Sequence, residues 1–435
     1  MEGKKKVAFI TLGCKVNTAE TEGMKGLFRQ AGYLVVGESE KADVYIINTC
    51  TVTGMGDKKS RQMLRRAHAL NPEAVIAAVG CFAQVSPDEA AKIAGVNLVV
   101  GNNMKHNIVE LVDNVRKGEP QKYVKERKAL SEYEELPIET YEGHTRAFLK
   151  IQDGCDQFCS YCIIPYARGP VRSREMRDII KEAENFAARG FKEVVLTGIH
   201  LTSYGTDKKG PGLSEVIREI HEVEGIERIR MGSLEPMYLT PEFMDEIKHL
   251  PKLCPHFHLS LQSGCAETLK RMNRKYTPDD FRGIVMALKE KIPDATITTD
   301  VMTGFPGETD EEFQESYRFC EEMGFLWIHV FKYSPRKGTP AARFKDQVDM
   351  AIKEQRSKNL IKLAETMRQN IFEHYLGRQM SIILEQPVHG RPGYMEGLTS
   401  NYIPAAVMVQ SEKSGEIINV KLIEAEGGRM GGIIL

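Results

Sequence analysis

Short β-rich runs alternate with helical patterns along most of this 435-residue chain, and no other feature restricts its fold as strongly. In residues 1–142 the runs KKVAFITLGC, ADVYIINTC and AVIAAVGC are separated by two helical patterns: ETEGMKGLFRQAG, closed by Gly32, and DKKSRQMLRRAHAL. Strand followed by helix, repeated, predicts a parallel sheet sheathed by helices. Each of the three runs ends in a cysteine: Cys14, Cys50 and Cys81. Strands of a parallel sheet point the same way, so these thiols are expected to converge on one edge, where open α/β sheets carry their sites. Taken singly, each cysteine reads equally well as a small buried residue.

The charged stretch from Glu119 to Glu142 has little apolar periodicity and reads as a linker or a helix crossing between domains. In residues 143–374 six further strand–helix units follow, with strands RAFLKIQDGC, KEVVLTGIH, RIRMGSLEP, HFHLSLQSG, TITTDVMTGFPGE and LWIHVFKYSP. Six units without a seventh or eighth predict a partial (β/α)6 barrel, with its chemistry at the C-terminal strand ends. After the basic helical segment KEQRSKNLIKLAETMRQN, residues 375–435 change to the short β runs QMSIILEQP, YMEGLTS, AAVMVQ and EIINVKLIEA, the pattern of a small OB-like β-barrel. The expected class is α/β, in three domains: 1–142, 143–374 and 375–435.

Lys and Arg total 59 against 60 Asp and Glu, so overall charge does not announce nucleic-acid binding. No signal-peptide pattern and no run of about 18 apolar residues is evident, and the expected location is cytoplasmic with no membrane partner. Nine cysteines, an odd count without a secretion pattern, argue for reduced thiols serving metal or catalysis.

The strongest motif is GCDQFCSYC, which sets Cys155, Cys159 and Cys162 at CxxxCxxC spacing directly after the first barrel strand. Zinc normally takes four ligands from paired knuckles or Cys/His sets, and the bacterial ferredoxin run is CxxCxxC. Neither fits. Three thiolates on one loop can hold three irons of a 4Fe-4S cube and leave the fourth open. This loop, with Tyr161 before its last cysteine, resembles that of the radical S-adenosylmethionine (SAM) enzymes. The resemblance implies that SAM chelates the open iron and is cleaved to methionine and a 5′-deoxyadenosyl radical. Stretches at successive strand ends are similar to that family's SAM pocket: Gly198 in LTGIH, Ser233 and Glu235 in SLEP, and Gln262 and Ser263 in SLQSG, with TGFPGE after the fifth strand.

With the N-terminal cysteines and the small C-terminal barrel added, nearly the whole chain resembles the radical SAM methylthiotransferases, which end in a TRAM domain. The resemblance implies a second 4Fe-4S cluster on Cys14, Cys50 and Cys81, SAM as methyl donor and radical source, tRNA as substrate, and an external electron donor and sulfur source as partners. GCKVN, CSYCIIPYARGPVRSR and HLSLQSGC resemble the branch that methylthiolates N6-threonylcarbamoyladenosine, next to the anticodon, at carbon two of adenine. Asp156 departs from the Asn expected at its position. Alternatives are the same reaction on isopentenyladenosine tRNA or a ribosomal protein, and a non-catalytic iron–sulfur electron carrier.

For RNA, residues 376–435 hold 5 basic and 6 acidic side chains, so the tail has no electrostatic claim to it. Candidate contacts are Lys58, Arg61 and Arg65, at helical spacing after Cys50, and Arg168, Arg172 and Arg174 after the CxxxCxxC loop. Tyr394 and Tyr402 are candidate stacking residues. A solvated helix face and barrel packing are the competing explanations. His256 and His258 read as core or edge histidines rather than metal ligands, and Cys254, Cys265 and Cys320 as structural.

Overall fold

The computed structural model describes residues 3–116 and 118–435. Its first unit is a parallel sheet of six strands: β1 (Lys6–Thr11), β2 (Leu34–Val36), β3 (Val44–Thr49), β4 (Val75–Gly80), β5 (Val96–Val100) and β6 (Gln121–Tyr123), in the order β2-β1-β3-β4-β5-β6. Alternation along the strands buries both faces. Val7, Phe9, Val44 and Ile46 pack with Met24, Phe28 and Ile108 of the helices on one side. Ala8, Ile10, Tyr45 and Ile47 pack with Leu64, Ala67 and Phe82 on the other. The expected strands β1, β3 and β4 form the centre. The remaining three are short, and β6 is polar, so they leave little pattern to read.

Residues 119–142 form no α-helix. They contribute β6, one 3₁₀ turn at Arg127–Ala129 and an otherwise extended strap. Leu130, Leu136, Ile138 and Tyr141 are buried, as is Glu134, which accepts the backbone amides of Asn103, Lys105 and His106. These anchors sit at irregular intervals along the strap, which is why no helical or strand period is legible there.

The second unit begins with β7 (Arg146–Lys150) and an antiparallel two-residue ladder of β8 (Gln152–Asp153) with β9 (Arg172–Ser173). It continues through β10 (Glu193–Thr197), β11 (Arg228–Met231), β12 (Ser233–Leu234), β13 (His256–Gln262), β14 (Thr296–Thr303) and β15 (Trp327–Lys332). Parallel sheets β11-β10-β7 and β12-β13-β14-β15, with β11 and β12 two pieces of one strand broken at Gly232, make an open barrel of six strands, joined by a bridge from Ile229 to Leu253. The helix Lys15–Gln30 of the first unit lies along β7 at the open side, and its Ala19 belongs to the barrel core.

The third unit is a closed barrel of β16 (Gln379–Pro387), β17 (Tyr394–Thr399), β18 (Pro404–Met408), β19 (Ile417–Glu426) and β20 (Arg429–Ile434), in the order β16-β17-β18-β20-β19. The sequence pattern marks four of these strands; β20 carries two glycines that dilute its β signal. This small barrel plugs the N-terminal mouth of the large one. Arg228, His256 and Thr296, the first residues of β11, β13 and β14, each meet it. Arg228 donates to Leu398 and Ser381 carbonyls at 3.1 and 2.7 Å, Thr296 donates to the Asn401 carbonyl, and Tyr402 stacks on His256 with ring centroids 4.1 Å apart.

Burial holds His256 well below the usual histidine range, and the Arg230 charge acts in the same direction. The unfolded chain protonates this ring below about pH 6.5, and the folded chain does not. The unfolded state therefore binds more protons, and stability falls as the pH drops through that value, by up to about 1.4 kcal/mol per unit. Thermal melts between pH 7 and pH 5 are expected to show this slope, and His256→Phe is expected to reduce it.

Candidate active site between two cysteine triplets

Cys14 caps the helix that follows β1, Cys50 directly follows β3, and Cys81 directly follows β4. These strands are neighbours in one parallel sheet, so the three thiols meet at its C-terminal edge. A side chain added at Gly13, where φ is +100°, would touch the Cys50 Sγ at 3.0 Å. Asn17 ties the edge together: its Nδ2 donates to the Leu12 carbonyl at 2.6 Å and the Thr49 carbonyl at 3.1 Å. Arg168 arrives from the barrel and donates from Nε to the Cys81 Sγ at 3.2 Å. Its other nitrogens reach Glu20 at 2.5 Å, Asn17 at 2.5 Å and Asp153 at 3.3 Å, and its side chain is fully buried. Burial alone would raise the Glu20 carboxyl, but Arg168, Lys105 and Lys150 together hold it well below the usual carboxylate range.

The second triplet sits on the loop between β8 and the short helix Ile164–Arg168. Gly154, with φ of +77°, opens the loop where a Cβ would lie 1.8 Å from the Pro170 carbonyl oxygen; only glycine fits. The Cys155 amide donates to Gly169 at 3.1 Å, the Ser160 amide to Met272 at 2.9 Å, and the Ala341 amide to Ser160 at 2.8 Å, so the loop is held at both ends. Arg274 donates to the Cys159 Sγ at 3.4 Å and to both Glu235 oxygens at 2.9 and 2.7 Å. Asp156 bonds Arg127 at 2.6 Å and accepts the Val171 amide at 3.0 Å, so the departure from Asn is accommodated structurally.

All six cysteines are free thiols. Burial pushes Cys14 up, Cys50 to about 11, Cys155 to about 11 and Cys162 to about 12. Within each triplet the sulfurs lie close enough for a charge on one to raise its neighbours further. Three soft donors, with backbone amides and a guanidinium aimed at the sulfur atoms, suit an iron–sulfur cube, which takes the thiolate form and releases protons on binding.

Between the triplets lies a cavity of about 190 Å³. Val52 and Thr53, just after Cys50, form one wall; Tyr161, Cys162 and Ile163 form another; Gln262, Asp300, Met302 and Phe331 close it from the barrel. The Gly54 amide donates to Ser334 at 3.0 Å, and Arg336 donates to Thr51 at 2.7 Å and to Asp57 at 2.5 Å, clamping the Cys50 loop to the barrel.

Tyr161 and Gln262 line the cavity, and Gln262 adopts a left-handed φ of +66°. Glu235 is gripped by Arg274, with His200 Nε2 at 3.6 Å. Gly198 follows β10 and Ser233 is exposed at the start of β12; neither lines the cavity. Ser263 is buried, and its hydroxyl accepts the Cys265 amide at 3.2 Å, so it serves the start of the next helix. Asn17, Glu20, Arg274 and His200 escape sequence reasoning, since no spacing rule links them to either triplet. Of these, Asn17 lies within the GCKVN stretch.

Four of the RNA candidates are corrected. Arg168, Arg172 and Arg174 are buried. Arg172 donates to the Leu130 carbonyl at 3.0 Å, and Arg174 bonds Glu135 at 3.0 Å and also Glu182. Internal partners, not phosphates, account for their charges. Tyr402 is taken up by the His256 stack, with the Arg230 guanidinium 5.2 Å from its ring. Lys58 and Arg65 are exposed, whereas Arg61 lies 5.4 Å over the Phe82 ring and 3.6 Å from Glu89. Tyr394 is half-buried beneath Arg391, 4.8 Å from its ring.

Arg168→Leu removes the charge that compensates buried Glu20 and Asp153 and is expected to cost roughly 3–5 kcal/mol of stability. Thermal denaturation checks this, with Lys58→Ala expected to leave the midpoint unchanged within about 0.5 kcal/mol.

Residues 149–320 match the Radical SAM superfamily, and residues 6–101 match a family described as uncharacterized protein family UPF0004. The chain is 43% identical over 96% of its length, and 94% of the relative's, to the threonylcarbamoyladenosine tRNA methylthiotransferase MtaB of Bacillus subtilis. It is 40% identical to the MtaB of Aquifex aeolicus, over 92% of this chain and 95% of that one. Identity to a tRNA-2-methylthio-N(6)-dimethylallyladenosine synthase of Clostridium botulinum is 32%, over 97% of this chain and 95% of the other. Among solved structures, the radical SAM methyltransferase TsrM of Kitasatospora setae superposes with a TM-score of 0.59 at 14% identity, over 91% of this chain and 81% of that one, which is likeness of fold. The chain belongs to the MtaB family of radical SAM methylthiotransferases.

Proposed function

We propose that the protein methylthiolates tRNA, converting N6-threonylcarbamoyladenosine next to the anticodon to its 2-methylthio derivative. The observation that carries this reading is the single cavity walled by residues beside Cys50 on one side and by Cys162 on the other. Higher identity to the MtaB relatives, 43% and 40%, than to the dimethylallyladenosine relative, 32%, favours the threonylcarbamoyl substrate. The cofactors are SAM and two 4Fe-4S clusters. Cys14, Cys50 and Cys81 would hold one cluster, and Cys155, Cys159 and Cys162 the other. Bound there, these groups supply the sulfur, methyl and radical chemistry that an adenine C–H without a leaving group demands.

The chain's own residues bind, orient and exclude water. Arg168 offsets negative charge at the first triplet, and Arg274 does so at the second while holding Glu235. Glu235, held by Arg274, would receive the polar end of SAM together with Gly198, Ser233 and Gln262. Tyr161, Met302 and Phe331 make the cavity wall apolar, which keeps water from reactive species. Lys58 and Arg65, exposed on the helix after Cys50, are available to the tRNA backbone, with Tyr394 a further candidate. Domain limits at 142/143 and 374/375, an external electron donor, a sulfur source and a cytoplasmic location belong to the same proposal; no described helix is long and apolar enough to cross a membrane. The remaining cysteines are buried and sit elsewhere, Cys254 by Arg230, Cys265 by Glu315 and Cys320 in the barrel core, which speaks against a fully cysteine-ligated electron carrier.

Anaerobically reconstituted protein is expected to carry about eight irons, and the Cys155/Cys159/Cys162 triple alanine variant about four; complete loss of iron in that variant would contradict independent clusters. Mass spectrometry of tRNA nucleosides from cells with and without the gene is expected to show 2-methylthio-threonylcarbamoyladenosine only in its presence. An unchanged signal would reject the substrate.

A further inference from the structure

Three neighbouring strands continue below the cavity into the barrel. Gln262, Met302 and Phe331 line the cavity beside Cys162. Strand alternation puts Asp300 and Met302 on one face of β14 and His329 and Phe331 on one face of β15, while a register shift between Leu259 and Gln262 interrupts the alternation of β13. The register pairs Met302 with Phe331 and Asp300 with His329. One layer below Met302 and Phe331 lie His329 and Asp300, which itself lines the cavity, and His258, whose register partner is Thr298, reaches up to them: the ligating atoms of the three are all within 4.8 Å of one another. His258 Nε2 is 3.3 Å from Asp300, and its Nδ1 is fixed 2.9 Å from the Thr298 hydroxyl.

Lys15 enters the same space from the other domain. Its side chain is exposed and, among the described residues, forms no hydrogen bond or ion pair. Its charge is nevertheless felt by Arg146, Glu193, Arg230, His256 and His329, which stand on five different barrel strands. An ammonium close to five strands of a six-stranded barrel lies on the inner side. Of the two carboxylates nearby, Glu193 is already bound by Arg230 at 2.7 Å and lies 3.6 Å from Arg228, and Asp300 lies 3.3 Å from His258 Nε2. Lys15 is thus a cation without an ion-pair partner among the described residues.

We propose that Lys15, with His329 and the His258–Asp300 pair, forms a subsite that binds the carboxylate of the substituent on purine N6. The inference rests on the proposed function, and it names what in this site distinguishes an anionic N6 arm from an apolar one. The dimensions agree. A threonylcarbamoyl arm spans about 5–6 Å from N6 to its carboxylate by standard bond lengths, and two residues along a strand advance about 6.6 Å. A purine lying at the Met302–Phe331 layer would deliver the carboxylate to the Asp300–His329 layer. Lys15 and His329 donate to the carboxylate, and Asp300 accepts from the ureido N–H or the threonyl hydroxyl.

The test uses the iron-loaded enzyme and anticodon stem-loop RNAs carrying threonylcarbamoyladenosine or its neutral methyl ester, read as kcat/KM and as RNA affinity by fluorescence anisotropy. The wild type is expected to prefer the acid by about 10- to 100-fold, the range for a charged hydrogen-bonded contact. Lys15→Gln is expected to abolish the preference, and Lys15→Arg to retain most of it. His329→Leu, far in sequence from any cluster cysteine, is expected to weaken it severalfold. Iron content is measured for each variant, and if Lys15→Gln loads poorly, the wild-type comparison and His329→Leu decide. Equal turnover of acid and ester by the wild type, or a full preference in iron-loaded Lys15→Gln, would overturn the subsite. Wild type that cleaves SAM but turns over neither RNA would overturn the substrate assignment itself, a result distinct from turnover without preference.

Discussion

The Arg168 guanidinium, fully buried, joins the first domain to the barrel and holds the two cysteine triplets in one frame. It ends the short helix that follows Cys162, yet it bonds Cys81, Asn17 and Glu20 of the first domain and Asp153 of its own. A cation with no access to water is tolerated only when its donors are met and its charge matched. Glu20 and Asp153 match it, Lys105 also pairs with Glu20, and Lys150 pairs with both carboxylates, so the interface is a closed ionic network rather than a single bridge. Because the network is buried, its geometry tolerates little displacement, and the distance between the triplets is set with it.

A six-stranded barrel that does not close has an open side and two open ends, and the chain covers two of these with its other domains. The helix Lys15–Gln30 and the Cys50 loop close the side near β7 and β15, with Ser334 and Arg336 as clamps. The C-terminal barrel seals the N-terminal mouth through Arg228, Arg230, His256 and Thr296. Its expected use of Tyr402 for stacking on RNA bases gives way to stacking on His256. The remaining approach is at the C-terminal strand ends, where both triplets lie. A carbon radical needs a chamber from which water is excluded when substrate is bound.

Much of the architecture was legible because each strong strand carries its own period and each ends in a chemically distinctive residue. Cys14, Cys50 and Cys81 could be placed together from strand direction alone, without any contact being known. The CxxxCxxC loop was legible from spacing, since its ligands are local. The strap from 119 to 142 was misjudged in part because its buried anchors, Leu130, Leu136, Ile138 and Tyr141, follow no period. Arg168, Arg172 and Arg174 were misjudged because a basic run on paper has the same appearance whether it faces phosphate or Glu20, Leu130 and Glu182.

By itself the sequence determined the three-part α/β plan, the two cysteine triplets and their convergence at strand ends, since these follow from short-range pattern and strand polarity. Only the tertiary structure decided which charges are buried and which faces of β14 and β15 turn inward. The physical reason is that a side chain's solvation and partners depend on residues far away in the chain. Glu20 and Arg168, 148 positions apart, share one ion pair, and no local pattern records it.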